Sequence, residues 1–572
     1  MPDEFIYEPR IAYFSMEIAL RTEIPTYAGG LGILAGDTVR SAADLGLPIV
    51  AVSLVSRAGY FRQEIDTQGR QLDRPDPWDP SKWARPLEAK VAVPIEGRQV
   101  WVSAWLYELE SQSDSRQPVL LLDTDLAENA PADREITHYL YGGDDAYRLK
   151  QEIVLGIGGV RLLRALGFEV RQYHMNEGHS ALLGVELLRQ HAYPAEDLRP
   201  GESRYDIPRV RELCRFTTHT PVDAGHDRFS YDLLARTLTG QQSRDGEFVE
   251  LSVLKRLGGE SDLNMTRLAL NLSEYVNGVA ERHAETSRKM FPGYRVHAIT
   301  NGVHPYTWVC ESFRHLYNRY VPSWCHEPEL LVRVDGCIPD AELWEAHSQA
   351  KRNLLQRVTS ITGSTLDPGL PLLGFARRMT AYKRPDLIFS DLKRLEAVAQ
   401  RHPLQIVLAG KAHPRDEGGK WLIQQIHAHA RSLSGAVRVV YLPNYDMALA
   451  QLLVAGVDIW LNTPLPPLEA SGTSGMKAAF NGVPNLSVPD GWWIEGCIEG
   501  VTGWAVESSG AADGDARSLY NKLENTVLPL YYGRGGDRSG WLQVMKGAIS
   551  KNASYFNSHR MMRRYATEAY LR

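Results

Sequence analysis

From about residue 367 onward, short apolar runs alternate with segments whose apolar residues recur at helical spacing. The runs recur roughly every 20 to 35 residues, a spacing that is typical of βαβ units and predicts a parallel sheet. The predicted strands are 371–375, 404–409, 437–442, 457–461 and 484–488, and the predicted helices include 385–399 and 418–432. This half therefore indicates a Rossmann-like domain, with functional groups expected at the carboxyl ends of its strands.

The N-terminal half follows the same pattern less regularly. Its predicted strands are 11–14, 49–55, 100–106, 119–123, 170–176 and 213–217. Two such α/β domains in tandem would leave a cleft between their carboxyl-end loops, and that cleft is the expected binding site. The polar stretch 359–364 suggests a join within 335–367, so we divide the chain into domains 1–350 and 351–572. The last part, 516–572, is predicted to be helical, and we expect its basic run 560–565 to lie on a solvated helix packed on the body.

Composition limits the classes of function. The 572 residues are 44% hydrophobic and 23% charged, and the net charge is −6. This balance argues against a broad nucleic-acid or anionic-membrane surface, so any anion site must be local. The five cysteines are far apart and have no zinc-like spacing, so neither a disulfide framework nor a metal site is expected. The segment 1–5 lacks the start of a secretory leader, which suggests a cytoplasmic protein.

The segment 468–482 places a turn rich in glycine and hydroxyl side chains directly before a short predicted helix. Free backbone N–H groups at a helix start suit a phosphate. Lys477, in the first turn of that helix, would add either a positive charge or a Schiff-base amine. The alternative is a polar loop that caps a surface helix and carries a solvated lysine.

A second segment, 374–385, carries four cations between a predicted strand and a predicted helix. They are Arg377, Arg378, Lys383 and Arg384, and the first acidic residue after them is Asp386. Cations without interspersed acids favour a phosphate or pyrophosphate site over a solvated turn.

Two histidine-containing segments follow predicted strands. In 173–180, His and Glu suggest a metal, but the spacing matches no tetrahedral template, and a hydrogen-bonded polar turn at the cleft is the better interpretation. In 216–221, His219 stands at a strand's carboxyl end, where a sugar or phosphate contact and a structural role are equally open. The glycine-rich turn at 27–37 lacks the GxGxxG spacing, and no P-loop occurs, which disfavours nicotinamide and ATP chemistry.

Together these segments resemble the α-glucan (glycogen, starch, maltodextrin) phosphorylase family, in its short prokaryotic form. The resemblance covers most of the chain. The motifs that carry it are 12–17, 29–32, 148–152, 176–179, 218–220, 277–280, 300–303, 382–384 and 469–477.

The resemblance implies a GT-B fold, in which two Rossmann-like domains with parallel sheets face an interdomain cleft and helices follow at the C-terminus. It implies a cytoplasmic hexosyltransferase of glycogen metabolism that transfers a terminal α-1,4-linked glucosyl unit to inorganic phosphate, giving α-glucose 1-phosphate with retention. The implied cofactor is pyridoxal 5′-phosphate, whose phosphate acts as acid and base towards the substrate phosphate. Homodimers are common in the family, and neither nucleic acid nor membrane is an implied partner.

The resemblance also assigns roles to residues. Lys477 matches the lysine that forms the Schiff base with the cofactor. The implied catalytic residues are His219, Arg378, Lys383 and Lys477. The implied cofactor-binding residues, with Lys477, are Arg377, Tyr445, Gly472, Thr473, Ser474 and Gly475. The implied substrate-binding residues are Gly30, Leu31, Asn301, Glu469, Ser471 and Gly472.

Three departures from the family pattern stand out. Arg377 occupies a position where long members carry a lysine, which keeps the charge but changes the geometry. The stretch 464–467 reads Pro-Leu-Pro-Pro where basic residues are expected. Because strand-like sequence starts at Ile11, the N-terminal regulatory extension of long members is not expected, and neither is its phosphorylation control or nucleotide allostery.

Two alternative functions remain. A GT-B glycosyltransferase that uses a nucleotide sugar would share the domain pattern, with Arg378 and Lys383 binding the diphosphate, although Lys477 in its Gly-Met-Lys context argues against it. A carbohydrate-binding homologue with altered catalysis is supported only by the changed stretch at 465–466.

Overall fold

The computed structural model describes residues 10–112, 115–222, 225–239, 249–433, 435–508 and 510–571. The segment 1–5, from which the absence of a leader was predicted, lies outside these residues. No helix in the described ranges is both long enough and apolar enough to cross a membrane.

The described strands belong to two large sheets and two small antiparallel pairs. In chain order they are β1 Ile11–Ser15, β2 Ile49–Leu54, β3 Arg62–Ile65, β4 Gln71–Arg74, β5 Arg85–Pro86, β6 Val91–Ile95, β7 Arg98–Glu110, β8 Arg116–Asp123, β9 Gln172–Asn176, β10 Cys214–Thr217, β11 Arg228–Ser230, β12 Asp262–Asn264, β13 Tyr275–Gly278, β14 His297–Ala298, β15 Leu372–Ala376, β16 Gln405–Ala409, β17 Arg438–Leu442, β18 Ile459–Asn462, β19 Asn485–Ser487 and β20 Gly503–Ala505.

Helices connect the strands and cover the sheets. They are α1 Gly30–Asp44, α2 Pro131–Arg134, α3 Asp145–Ile153, α4 Gly159–Ala165, α5 Leu182–Gln190, α6 Ile207–Leu213, α7 Tyr231–Thr239, α8 Leu251–Gly258, α9 Met265–Asn271, α10 Glu281–Met290, α11 Pro305–Trp308, α12 Glu311–Tyr320, α13 Val334–Cys337, α14 Asp340–Thr362, α15 Leu392–Arg401, α16 Glu417–Ser432, α17 Met447–Gly456, α18 Ser474–Ala479, α19 Trp493–Gly496, α20 Ala512–Lys522, α21 Leu528–Tyr532, α22 Ser539–Gly547 and α23 Ser558–Arg564.

The first large sheet has the strand order β14-β13-β10-β9-β1-β2-β8-β7-β5, with β6 also paired to β7. All neighbours from β14 to β8 are parallel, whereas β7 runs antiparallel to β8. Numbered along the chain, the seven parallel strands run 3-2-1-4-5-6-7 across the sheet, so the first six have the order of a Rossmann fold.

The second large sheet has the order β17-β16-β15-β18-β19-β20, and every neighbouring pair is parallel. This is again the order 3-2-1-4-5-6. In both sheets the direction of winding changes beside the first strand, between β1 and β9 and between β15 and β18. Loops diverge at such a switch point, and the crevice that they leave is where ligands bind in open α/β sheets.

The predicted apolar runs are confirmed as strands, with most ends shifted by no more than two residues, although β8 begins three residues before its predicted start. Central strands such as β1 and β2 are buried along their whole length, which explains their continuous apolar sequence. The predicted strand 100–106 is longer, since β7 extends from Arg98 to Glu110 as an antiparallel strand near the sheet edge. The short strands β3 to β6, β11 to β14 and β20 were not predicted because each has too few residues to show a period.

The hairpin of β3 and β4 links the two halves of the chain. Gln63 Nε2 donates to the Gly410 carbonyl at 2.9 Å, and the Gln63 N–H donates to Asn444 Oδ1 at 3.0 Å. Gln71 Nε2 donates to the Ala412 carbonyl, also at 2.9 Å. Because Gln63 and Gln71 are buried, losing these partners would leave polar groups unpaired at a contact between the halves.

Helix α14 passes through the region in which the join was predicted. It runs from Asp340 to Thr362 and ends at Gly363, whose φ of +70° is the left-handed conformation that favours glycine at a helix end. The position of the predicted division at 350 therefore lies inside a continuous helix, which packs against α17 of the second half.

The C-terminal helix returns to the first half of the chain. Helix α23 packs against α1, and Met561 and Met562 are buried there. Arg560 donates to the backbone carbonyls of Thr300 and Asn301 at 2.8 and 3.0 Å. The helix packs on the body as predicted. The expectation of a solvated basic run is wrong for Arg560, because its guanidinium donors bind backbone carbonyl oxygens of the first half.

Candidate functional site

Segments that follow strands of both sheets line one pocket with a volume of about 570 Å³. From the first sheet these segments include those after β1, β9, β10, β13 and β14, and from the second those after β15, β16, β17 and β18. Almost all of the predicted site residues meet here: Gly30, Leu31, His219, Asn301, Arg377, Arg378, Lys383, Tyr445, Glu469, Ser471, Gly472, Thr473, Ser474 and Lys477.

Gly475 is the exception. It is buried in α18 and is not among the described residues that line the pocket. A Cβ atom at this position would lie 2.2 Å from Asn485 Oδ1 and 2.8 Å from the Trp492 ring. The glycine at 475 is therefore explained by close packing of the helix, independently of any ligand.

Lys477 lies in the first turns of α18 and is buried, so the alternative of a solvated lysine is wrong. Its Nζ lies 3.9 Å from the centre of the Trp308 ring, and Trp308 Nε1 donates to Asp37 Oδ2 at 2.8 Å. Burial lowers the pKa of Lys477 to about 8, although the negative charge of Asp37 acts in the opposite direction. The amine is thus poised to react as a nucleophile near neutral pH.

The four cations of the segment 374–385 divide into three kinds. Arg377 Nη2 and Lys383 Nζ both contact Glu469 Oε2, at 2.7 and 2.5 Å. Arg384 is buried and donates to Asp515 Oδ2 at 2.6 Å, and also to the carbonyls that follow β18. The prediction that all four serve an anion site is therefore wrong for Arg384, because its donors are used within the protein. The remaining cation, Arg378, has a different environment.

The Arg378 side chain is exposed to the pocket and makes no ion pair with any described residue. It lies against the glycine-rich turn, since a Cβ atom at Gly29 would be 3.5 Å from Arg378 Nη2. A guanidinium with free donors in a concave pocket is well suited to bind a phosphate through two parallel hydrogen bonds.

The glycine-rich turn is held in place by Glu17. Glu17 Oε2 accepts hydrogen bonds from the N–H groups of Ala28 and Gly29 at 2.6 and 3.1 Å. Helix α1 starts at Gly30, so the N–H groups of Gly30 and Leu31 have no partner within the helix, and both residues line the pocket. This start of a 15-residue helix adds anion-binding donors beside Arg378.

A chain of hydrogen bonds orients His219. Asn176 Nδ2 donates to Ser15 Oγ, which in turn donates to the Glu17 carbonyl. The Asn176 Oδ1 atom therefore faces His219 Nε2, at 2.6 Å, and accepts a hydrogen bond from its N–H group. Burial lowers the pKa of His219 to about 4, so the ring is neutral at physiological pH with its proton on Nε2.

Two other predicted residues offer polar atoms that have no partner within the protein. Asn301 Oδ1 and Ser471 Oγ are buried, line the pocket, and make no hydrogen bond to any described residue. Buried polar atoms are rarely left unsatisfied, so these two atoms indicate a ligand that carries hydroxyl groups.

The carboxylates in the described lining already have partners. Glu17 and Glu177 accept backbone N–H groups, and Asp446 accepts the N–H of Leu449 at the start of α17. Glu469 is bound by two cations. The pocket therefore lacks the pair of available carboxylates that a glycosidase uses as acid and nucleophile.

Three side chains of the described part bring metal-ligand atom types together outside this pocket lining. Asp44 Oδ2 lies 2.7 Å from His304 Nε2 and 3.1 Å from His559 Nε2. The N–H of Thr307 donates to His304 Nδ1, which places that ring's proton on Nε2 and makes its contact with Asp44 a hydrogen bond. The cluster thus ties α1 to the C-terminal helix α23.

The pocket can be tested for pyridoxal phosphate by its chemistry. The cofactor requires an amine that is neutral at moderate pH, donors for a phosphate and an apolar wall for the ring. Lys477 provides the amine, Arg377 and the hydroxyl of Thr473 provide donors, and Trp308 and Tyr445 provide aromatic surface in the same pocket. The residues present fit the group.

Several residues of this site had no predicted role. Asp37 and Trp308 support Lys477, while Glu17 and Glu177 hold backbone segments of the pocket wall. Glu17 and Glu177 stand within the quoted motifs, but a carboxylate that accepts backbone N–H groups follows no side-chain spacing rule. The only available signal was their position directly after predicted strands.

Comparison with known proteins agrees with this geometry. The family model "Carbohydrate phosphorylase" matches residues 168–503. A maltodextrin phosphorylase of Thermococcus litoralis is 39% identical over 99% of this chain and 71% of its own length. Glycogen phosphorylases of Aquifex aeolicus and Mycobacterium tuberculosis are 36% and 38% identical, over 99% and 98% of this chain and 87% and 70% of their own lengths.

The fold and pocket define a doubly wound α/β protein whose pocket places cationic groups beside buried polar atoms that have no partner among the described residues. The comparisons then place the chain more closely. It belongs to the carbohydrate phosphorylase family.

Proposed function

We propose that this chain is an α-glucan phosphorylase, which releases terminal α-1,4-linked glucosyl units of glycogen or maltodextrin as α-glucose 1-phosphate with retention. The observation that carries the proposal is the pocket itself. It combines the buried amine of Lys477 with the guanidinium of Arg378, which forms no ion pair with a described residue, and with polar atoms of Asn301 and Ser471 that form no hydrogen bond within the described chain. The relatives named maltodextrin and glycogen phosphorylase supply the substrate class.

The arrangement of the chain is proposed to be GT-B. In this proposal, domains 1–350 and 351–572 each contain one of the two large sheets, and the reaction takes place in the cleft between them. The two strand orders and a pocket lined from both sheets support it. The return of α23 to the first half would then link the domains a second time.

Inorganic phosphate would bind between Arg378 and the start of helix α1. Arg378 supplies two parallel donors, and the N–H groups of Gly30 and Leu31 supply two more. Lys383 lies next to this place, bound to Glu469, and would contact the phosphate when that carboxylate turns to the sugar.

The glucosyl unit would lie against Asn301 Oδ1, Ser471 Oγ and neutral His219. Each of these groups suits a hydroxyl, since the amide oxygen of Asn301 and the unprotonated Nδ1 of neutral His219 can accept a hydrogen bond, and the Ser471 hydroxyl can donate or accept one. In this pose the glycosidic oxygen and the phosphate share one face of the sugar ring.

Bond cleavage would then need no protein nucleophile. Phosphate donates its proton to the glycosidic oxygen, the bond from that oxygen to C1 breaks, and a phosphate oxygen bonds to C1 on the same face. The shortened glucan leaves with the proton, and α-glucose 1-phosphate remains. The cations and the helix start stabilise the phosphate charge throughout, and exclusion of water from the pocket limits hydrolysis.

Pyridoxal 5′-phosphate would be held by Lys477, Arg377, Tyr445 and the turn at 472–474. When bound, it supplies a second phosphate group that exchanges a proton with the substrate phosphate. The cytoplasmic location and the homodimer remain predictions from the family resemblance.

The test is to incubate the purified protein with maltoheptaose and phosphate in the absence of any nucleotide sugar. We expect release of glucose 1-phosphate and a visible cofactor absorbance, and both should disappear in Lys477→Ala. A requirement for a nucleotide sugar would favour the glycosyltransferase alternative, and maltoheptaose binding without turnover would favour the carbohydrate-binding one. Unchanged absorbance in Lys477→Ala would refute the assignment of that lysine.

A further inference from the structure

Glu177 has an unusual backbone conformation for a residue with a side chain. It follows β9 directly and has φ of +75° and ψ of +166°. This region is populated almost only by glycine, and holding another residue there costs roughly 1–3 kcal/mol. Such strain persists only where the surrounding structure over-determines it, and it concentrates at functional sites.

The hydrogen bonds of Glu177 show what this conformation achieves. Oε2 accepts from the His219 N–H at 2.7 Å and from Thr220 Oγ1 at 2.9 Å, while Oε1 accepts from the Gly178 N–H at 2.9 Å. The Glu177 N–H donates to the Thr217 carbonyl, also at 2.9 Å. One strained residue therefore holds the chain on both sides of Thr218, immediately after β10.

The charge of Glu177 is suited to this role. Burial opposes ionisation, but His219, His226 and His179 lie nearby, and they and the His219 N–H hold the pKa of Glu177 below its usual range. A carboxylate accepts several donors at once, and hydrogen bonds to an ionised acceptor are shorter and stronger than those to a neutral one.

Glu177 and the preceding residue act on different parts of the same histidine. Asn176 Oδ1 binds the ring at Nε2, whereas Glu177 binds the main-chain N–H. The two residues thus hold the ring and the backbone of His219 from one loop. This is the arrangement needed to keep a neutral imidazole at one place in the pocket.

We propose that Glu177 is a positioning residue for catalysis: its strained backbone aims the carboxylate that fixes His219 and Thr220 against the reacting sugar. The proposal rests on the proposed function for the identity of that sugar. It assigns no contact between Glu177 and the substrate. Because small misplacements of catalytic groups have large rate effects, loss of the carboxylate is expected to lower kcat by about 10- to 100-fold.

The first test uses Glu177→Ala and Glu177→Gly, which both remove the carboxylate. Glycine adopts the native φ and ψ without strain, so Glu177→Gly should have the higher Tm of the two. This is the reverse of the usual order, in which a glycine variant is less stable than an alanine variant. Both variants should lose kcat to the same extent, while KM for phosphate stays within about twofold, because Arg378 lies on the other wall. A lower Tm for Glu177→Gly, or wild-type kcat in either variant, would overturn the proposal.

The second test asks whether Glu177 acts through His219. In a His219→Ala background, adding Glu177→Ala should lower kcat by less than about threefold. If the two residues acted independently, the losses in kcat from the two substitutions would multiply instead. Multiplicative losses would show that Glu177 has only a general structural effect. The Tm comparison does not depend on the reaction. A wild-type protein that releases no glucose 1-phosphate would therefore refute the proposed function, while the Tm difference between Glu177→Gly and Glu177→Ala would still measure the backbone strain at Glu177.

Discussion

The two walls of the pocket use their charged groups in different ways. On the wall from the first sheet, Glu17 and Glu177 are buried and bind backbone N–H groups of the neighbouring loops. On the wall from the second sheet, Arg377 and Lys383 bind a side chain, Glu469, which itself lines the pocket, and Arg378 has no ionic partner in the described part of the chain.

This difference separates groups that hold shape from groups that exchange partners. A carboxylate bound to backbone N–H groups fixes a loop, and no ligand can replace it without breaking the fold locally. A cation bound to a carboxylate that itself lines a pocket can transfer to a phosphate at small cost, since one charge-assisted contact replaces another. We therefore expect the first wall to keep its geometry and the cations of the second wall to exchange Glu469 for a bound anion.

Arg384 belongs to the same segment as the cations of the second wall, but its donors bind groups within the protein. We therefore expect it to stabilise the fold and not to exchange its partners for an anion. Arg384→Met should destabilise the fold by about 3 to 5 kcal/mol, since it removes a buried guanidinium that binds the Asp515 carboxylate and the carbonyls of Thr463 and Pro464. Urea unfolding followed by circular dichroism measures this loss. Stability equal to that of the wild type would place Arg384 among the exchangeable cations and break the comparison.

Arg378 should give the opposite result. Arg378→Ala is expected to lower kcat/KM for phosphate by about 10²- to 10³-fold, because it removes from the proposed phosphate site a guanidinium that has no ionic partner among the described residues. Its Tm should stay within about 2 °C of the wild type, because no described residue loses an ionic partner. Arg378→Lys is the matched variant, and it should recover only part of the activity since lysine cannot form two parallel bonds. Phosphorolysis at wild-type rates in Arg378→Ala would contradict the assignment.

Lys477 links the walls, since its counter-charge Asp37 lies on α1 of the first half. With a pKa of about 8, the neutral amine fraction should rise tenfold per pH unit up to pH 8 and then level off. Trace acetylation of the cofactor-free protein, read by peptide mass spectrometry, measures this profile, with exposed Lys393 as a control for the reagent. Asp37→Asn removes a charge that favours protonation, so it should move the profile to lower pH. If the pH profile of Lys477 acetylation is the same in Asp37→Asn as in the wild type, the charge of Asp37 has no influence on the Lys477 amine.

Much of this molecule was predictable from sequence because parallel strands buried on both faces form apolar runs that stand out, and both sheets were placed from them. The cations of 374–385 and the turn at 472–474 were found because charge and glycine content are local properties. What could not be predicted is which cation is exchangeable: Arg377, Arg378 and Arg384 look alike in sequence, and only the distant Glu469 and Asp515 distinguish them. The strain at Glu177 is likewise a backbone property that no residue type reports.

The smallest predicted effect is the one that most sharpens the comparison. Glu469→Gln removes the carboxylate charge from Arg377 and Lys383 but keeps the size of the side chain. Phosphate would then no longer compete with a carboxylate for these two cations. The affinity of the protein for phosphate, measured by calorimetry, should therefore increase by about three- to tenfold. Glu17→Gln is the matched change on the first wall, and it should weaken phosphate binding instead, because the turn that carries Gly30 and Leu31 loses its anchor. Effects of the same sign in both variants would mean that the two walls treat their carboxylates alike. If Glu469→Gln strengthens phosphate binding and Glu17→Gln weakens it, the role of each carboxylate depends on its position in the fold and not on its charge alone. Glu469 then competes with phosphate for the cations, whereas Glu17 holds the turn that binds phosphate.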